Sequence, residues 1–167
     1  MHALDFFLFA SGLNISLACG DLDSARNNLE NMAAVLNWKS HNDVGHYYYL
    51  AAFDALVRRD TPLARQHLET SLMQALESGT EHHFALCRLA IAHVLVEMGD
   101  RDKAELQLAQ AIQFNQGMKS RLLEFLCLQV QALLAIRSGL VDESREHLAR
   151  VFRLGREEAV MSPHWFL

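Results

Sequence analysis

A short turn-and-helix pattern recurs four times along this chain of 167 residues. Each copy begins with a turn residue, followed five positions later by a small residue and four positions after that by a leucine, and the copies are 39, 40 and 40 residues apart. A regular period of this length is typical of helical repeat arrays, in which each unit buries its apolar face against its neighbours. The turn residues are Gly20, Arg59, Gly99 and Gly139, the small residues are Ala25, Ala64, Ala104 and Ser144, and the leucines are Leu29, Leu68, Leu108 and Leu148.

The period predicts one domain of four repeats followed by a short tail. We place the repeats at about 3–40, 41–79, 80–119 and 120–158, and the tail at 159–167. Apolar spacing near 3.6 residues predicts two helices in every repeat, and no segment has a competing strand pattern. The predicted helix pairs are 3–18 with 22–37, 43–58 with 62–78, 82–98 with 101–115, and 121–138 with 141–158. We therefore expect an all-α fold of about four antiparallel helix pairs.

The short turn inside each pair has recognisable helix stop and start signals. Glycine at the turn position can end the first helix in a left-handed conformation. The carboxylates of Asp21, Asp60 and Asp100 can then cap the first backbone amides of the second helix. These signals place the turns independently of the apolar pattern.

Composition and charge exclude several classes of function. The chain is 51% apolar and 21% charged, as globular domains are, and its net charge is −5 with both signs interspersed. No basic stripe suits a phosphate backbone, so we expect no direct nucleic-acid partner, although the chain could belong to a larger DNA-binding protein. The opening apolar run is too short and polar to span a bilayer, and it lacks the basic start of a leader. We expect no membrane contact.

The cysteines and histidines indicate neither a disulfide framework nor a metal site. The three cysteines contain no C-x-x-C pair, and we expect Cys87 and Cys127 to be buried thiols in a reducing cytoplasm. The nine histidines lack the i,i+3 or i,i+4 spacing of a helical zinc site. No nucleophile elbow or phosphate-binding glycine loop is present. We predict no catalytic residues, no metal and no cofactor, so the chain is not expected to be an enzyme, although the sequence leaves open an acid–base pair assembled across repeats.

The repeated pattern resembles the tetratricopeptide repeat. The resemblance rests on a small residue in the first helix, a Gly-Asp turn, and an alanine and a large apolar residue in the second helix; Ala52, Ala92 and Ala132 occupy the small position. Leu13 and Ser144 depart from the pattern, the terminal proline is absent, and the period exceeds the usual length of about 34. The resemblance implies a right-handed superhelical α-solenoid.

Repeats of about forty residues also resemble the sensor region of large ATP-dependent bacterial transcription regulators of the maltose-activator type. The segment VFRLGREEAVMSPHWFL resembles the way in which that region continues toward further helices. This resemblance implies that the chain is a fragment of a longer cytoplasmic regulator.

In the tetratricopeptide family the first helix of each pair lines a concave groove. Carrying the groove positions over gives a mixed aromatic and polar set, in which rings supply buried area while amides and imidazoles fix orientation. The resemblance thus implies that a peptide or protein segment, or a small effector, binds there. The same apolar stripe could instead be core, above all in HYYYLAAFDALV of the second repeat. The groove candidates are Phe7, Asn14, His46, Tyr49, Phe53, His93 and Gln129, with Glu97 and Arg137 one turn further along.

Two functions of different classes are compatible with these patterns. The first is a non-catalytic binding scaffold that forms the regulatory part of a transcription regulator. The second is a self-assembly module without an effector. Neither end of the chain has the polar cap of natural arrays, so we expect either self-association through a terminal repeat or a longer array. The apolar residues at the two ends are Leu4, Phe6, Phe7 and Phe9, and Trp165, Phe166 and Leu167.

Overall fold

A computed structural model describes the backbone of residues 2–157 and the side chains from Leu4 onward. The described part of the chain contains eight helices and no strand, as predicted. The predicted tail, with Trp165, Phe166 and Leu167, lies outside the described residues. The helices are α1 (His2–Cys19), α2 (Leu22–Val35), α3 (His41–Val57), α4 (Thr61–Ser78), α5 (Glu81–Glu97), α6 (Arg101–Met118), α7 (Arg121–Arg137) and α8 (Val141–Glu157).

The four predicted helix pairs are confirmed, with small differences at the ends. Helix α2 stops at Val35 because Leu36 already has an extended backbone. Helix α6 continues to Met118 and ends where Lys119 turns left-handed, at φ 53°. Lysine is not a residue type that predicts a left-handed turn, so the sequence pattern placed the end of α6 too early.

The predicted turn signals are confirmed, because the three glycines are left-handed and the three aspartates cap the helices that follow them. All four turn residues are left-handed, with φ 73° at Gly20, 63° at Arg59, 79° at Gly99 and 71° at Gly139. The aspartates cap the following helices by accepting hydrogen bonds from the backbone amides of Ser24, Leu63 and Lys103. These bonds satisfy backbone amides at the starts of α2, α4 and α6.

The described helices form two compact units, the first ending at Thr80 and the second beginning at Glu81. In the first unit α1 packs against α2 and α3 against α4, and α3 also contacts both helices of the preceding pair. In the second unit α5 packs against α6 and α7 against α8, and α7 contacts both α5 and α6. This packing of adjacent helix pairs is consistent with an α-solenoid; the right-handed superhelix and the single four-repeat domain stay predictions.

The small residues of the repeat pattern lie where helices approach closely. Ala25, Ala64 and Ala104 are fully buried, and Ser144 is nearly so. The small position of the first helix is buried as well, including Leu13, which departs from the family pattern. Cys87 and Cys127 are buried free thiols, as expected. None of the described helices combines the length and the apolar character needed to cross a membrane.

Candidate functional site

The predicted groove residues of the first unit divide between exposed and buried positions. Phe7 on α1 is exposed, whereas Tyr49 and Phe53 on α3 are buried and pack their rings edge to face, with centroids 4.9 Å apart. Burial of both rings favours the core alternative that the sequence left open for this stretch, and a groove role of these positions stays a prediction. Of the three groove candidates on α3, His46 keeps the most surface.

His46 forms an aromatic contact between the first two repeats. Its ring lies 6.0 Å from that of Phe6, which in turn lies 5.9 Å from the ring of Phe7. Burial lowers the pKa of His46, and the nearby carboxylate of Asp43 opposes that shift only in part. At neutral pH the imidazole is therefore uncharged, and it can both donate and accept hydrogen bonds.

Asn14 and Gln129 each have a buried side-chain oxygen without a hydrogen-bond partner in the described part of the chain. The side-chain oxygens Oδ1 of Asn14, on α1, and Oε1 of Gln129, on α7, are buried and have no hydrogen-bond partner among the described residues. A buried acceptor left in this way costs about 1–3 kcal/mol, so such atoms are uncommon in a folded protein. Both residues belong to the predicted groove set.

The second unit brings three polar side chains of the first helices together, which we call the polar cluster: His93, Glu97 and Arg137. Nη2 of Arg137 on α7 donates to both carboxylate oxygens of Glu97 on α5, at 2.7 and 2.8 Å. Burial is the main cause that lowers the pKa of His93; Glu97 raises that pKa and Arg137 lowers it. The cluster therefore offers a neutral imidazole beside an exposed carboxylate and guanidinium, and it joins two adjacent repeats.

Sequence reasoning missed a cleft in the second unit. Two adjoining cavities of about 230 and 290 Å³ share Glu124, Leu128 and Arg150 and lie between α6, α7 and α8. Arg121 bridges Glu124 at 2.9 Å and Glu157 at 3.0 Å across the mouth. The pairing of Arg121 with Glu124 is visible in the sequence as an i,i+3 spacing, but the approach of α8 is not.

The thiol of Cys127 lines this cleft without being reactive. Burial raises its pKa to about 12, with a smaller contribution from Glu124. Because the thiolate is the nucleophilic form, Cys127 stays protonated and inert at neutral pH. Within residues 4–157 no group of three His, Cys, Asp or Glu side chains lies close enough together to hold a metal ion.

Comparison with known proteins does not indicate what these surfaces bind. No protein-family model matches the chain, and no curated protein matches its sequence. The candidate site is therefore described by its own chemistry, namely the polar cluster on α5 and α7 and the aromatic contact of Phe6, Phe7 and His46 on α1 and α3.

Proposed function

We propose that this chain is a non-catalytic scaffold that binds a peptide or protein segment, or a small effector, on the surface of its first helices. The polar cluster carries this proposal. Ten of the seventeen residues of α5 are buried, so His93 and Glu97 are among the few groups of this helix that a partner can reach. Arg137 extends that surface onto α7.

The ion pair of the polar cluster contributes little to the stability of the fold. Both side chains keep substantial contact with water, and exposed ion pairs contribute little because solvent screens them. A carboxylate, a guanidinium and a neutral imidazole side by side can instead pair with the backbone and the charged side chains of a bound peptide.

A display experiment tests the proposal without knowledge of the natural partner. Random peptides displayed on phage are selected on the intact chain, and their affinities are compared for Arg137→Ala and Arg101→Ala. Arg101 is the matched control, because its side chain is about as exposed as that of Arg137 and pairs with a glutamate, Glu105, on the second helix α6. We expect selected peptides to lose about tenfold in affinity or more with Arg137→Ala, as at interface anchors, and to keep it with Arg101→Ala. Peptides that bind both variants equally, or a failure to select any peptide, would contradict the proposal.

The resemblance to sensor regions supports a wider context for this scaffold. We place the chain in the regulatory part of a bacterial cytoplasmic transcription regulator, where ligand binding to a repeat array shifts its populated conformations. The two buried free thiols fit a reducing compartment. Sequencing the gene beyond both ends of the chain tests this context, since a regulator would continue into an ATPase or a DNA-binding domain. The self-assembly alternative would use other surfaces of the chain.

A further inference from the structure

Helix α1 is apolar on two opposite sides. One side is buried and consists of Phe6, Ala10, Leu13 and Leu17. The other side, which we call the leading face, consists of Leu4, Leu8 and Ile15, whose exposed fractions are 82%, 67% and 65%. A helix that is apolar all round is normally buried all round, so the leading face calls for a covering partner.

The repeat register shows what covers the equivalent face elsewhere in the chain. When Gly20 is aligned with Gly139, the counterparts of Leu4, Leu8 and Ile15 on α7 are Leu123, Cys127 and Leu134, and all three are buried. Helix α7 packs against both helices of the preceding pair, α5 and α6. Cys127 faces a cavity that Ile112 and Asn115 of α6 also line, so this row of α7 is directed at the preceding pair.

The first unit follows the same rule at its second repeat. Aligning Gly20 with Arg59 makes Tyr47 and Asp54 of α3 the counterparts of Leu8 and Ile15. The ring of Tyr47 contacts that of Trp38, in the segment that follows α2. Asp54 pairs with Arg58, whose Nη2 donates to the carbonyl oxygen of Leu22 at the start of α2, at 2.8 Å. In both units residues of this row therefore contact or face the preceding repeat.

The second unit exposes the complementary surface, which we call the trailing face: Ile136 of α7 and Phe152 of α8. Aligning Gly99 with Gly139 makes Val96 and Ile112 their counterparts in the preceding pair. Val96 is buried, and Ile112 lines the cavity with Cys127 of the following pair. Ile136 and Phe152 are instead 53% and 66% exposed.

We propose that the leading face of one copy of this chain docks on the trailing face of a second copy. This contact between two molecules repeats the packing of one helix pair on the next that occurs within each unit. The leading face has no charged side chain, so it selects an apolar surface rather than an acidic or basic partner. Because the two faces differ, the interface is heterologous, and each copy carries one of each face. The interface does not involve the polar cluster, so this proposal does not depend on the proposed function.

Two complementary variants test the head-to-tail contact. Leu8→Asp blocks the leading face and Phe152→Asp blocks the trailing face. Sedimentation velocity of the wild-type chain should show association that rises with concentration, whereas each variant alone should remain monomeric. An equimolar mixture of the two variants should form a one-to-one dimer, because each supplies the intact face that the other lacks, and this dimer cannot grow.

A matched control separates this contact from general apolar stickiness. Leu106 on α6 is 57% exposed, but its counterparts Gln66 and Glu146 are polar and exposed, so it belongs to neither face. Leu106→Asp should associate like the wild type. Circular dichroism melts should show that all variants fold; if Leu8→Asp does not, Leu4→Lys in the first turn replaces it.

Several results would overturn the proposal. A wild-type chain that stays monomeric at high concentration would show that the two faces do not bind each other. Self-association of Phe152→Asp alone would indicate a contact of leading face on leading face. A mixture of the two folded variants that remains monomeric would show that the faces are not complementary.

Discussion

Arg59 adopts, at φ 63°, the same left-handed turn conformation that Gly99 adopts at φ 79° one repeat later. The backbone amide of Arg59 donates to the carbonyl oxygen of Leu56, and that of Gly99 donates to the equivalent oxygen of Val96. The turn thus keeps its hydrogen bonds when the glycine is replaced, although left-handed backbone is strained for a residue with a side chain.

We predict that Arg59→Gly stabilises the chain. Relief of the left-handed strain outweighs the extra flexibility that glycine gives the unfolded chain, and the expected gain in unfolding free energy is about 0.5–1 kcal/mol. Urea denaturation followed by circular dichroism measures it. Gly99→Ala is the reciprocal control: no atom lies within 4 Å of the added Cβ, so any loss reports backbone strain alone. An unchanged midpoint in both variants would contradict the strain argument.

Ala104→Leu should destabilise the chain by roughly 1–3 kcal/mol, since a larger side chain does not fit a close-packed position. Ala104 is fully buried at the start of α6. Ala109 on the same helix is exposed, so Ala109→Leu is the control and should leave the urea midpoint unchanged. Equal stability of the two variants would mean that the alanine column of the repeat is not a packing column.

Phe53→Ala should cost about 3–5 kcal/mol, as large-to-small changes of buried aromatic residues do. The side chain of Phe53 is fully buried against Tyr49. Phe7→Ala, in which the ring is exposed, should have a much smaller effect on the melting temperature. A Phe53→Ala chain that melts like the wild type would indicate that Phe53 is a groove residue and not part of the core.

Acidification should weaken the fold through three partly buried histidines. Burial lowers the pKa values of His46, His67 and His93, so protons bind these residues more tightly in the unfolded chain. Their contribution to stability is therefore complete above the unfolded pKa of about 6.5 and is lost as the pH falls through and below it. The urea midpoint should drop between pH 7.5 and pH 5.5, by less in His93→Gln than in the wild type.

The repeat period was sufficient to predict the helices and turns, because those depend on local signals. Even Arg59, which is not a residue type typical of a left-handed turn, was placed correctly by its spacing from Gly20 and Gly99. The candidate site was harder to predict, because α3 and α5 are apolar on most sides and their pattern does not say which side faces water. Tyr49 and Phe53 therefore looked like groove residues although they are buried.

The cleft of the second unit illustrates a different limit. Its lining comes from three helices, and Arg150 and Glu124 both line it because α8 packs against α7. No short sequence motif predicts that these two residues line the same cleft. The pairing of Glu97 with Arg137 could be anticipated in part, since the repeat register places both one turn beyond the groove positions of their helices.

The aspartate caps also bear on how a chain of this kind can evolve. Each cap bonds within its own repeat, Asp21 to Ser24, Asp60 to Leu63 and Asp100 to Lys103. A gene segment that encodes one whole repeat therefore carries the cap of its own turn, whereas the contacts between repeats, such as that of Arg137 with Glu97, must be remade with new neighbours. Duplication or loss of whole repeats disturbs such a chain less than insertion of a few residues within one, which would rotate every later side chain away from its partner. Selection can thus change the number of helix pairs more readily than the length of any one of them.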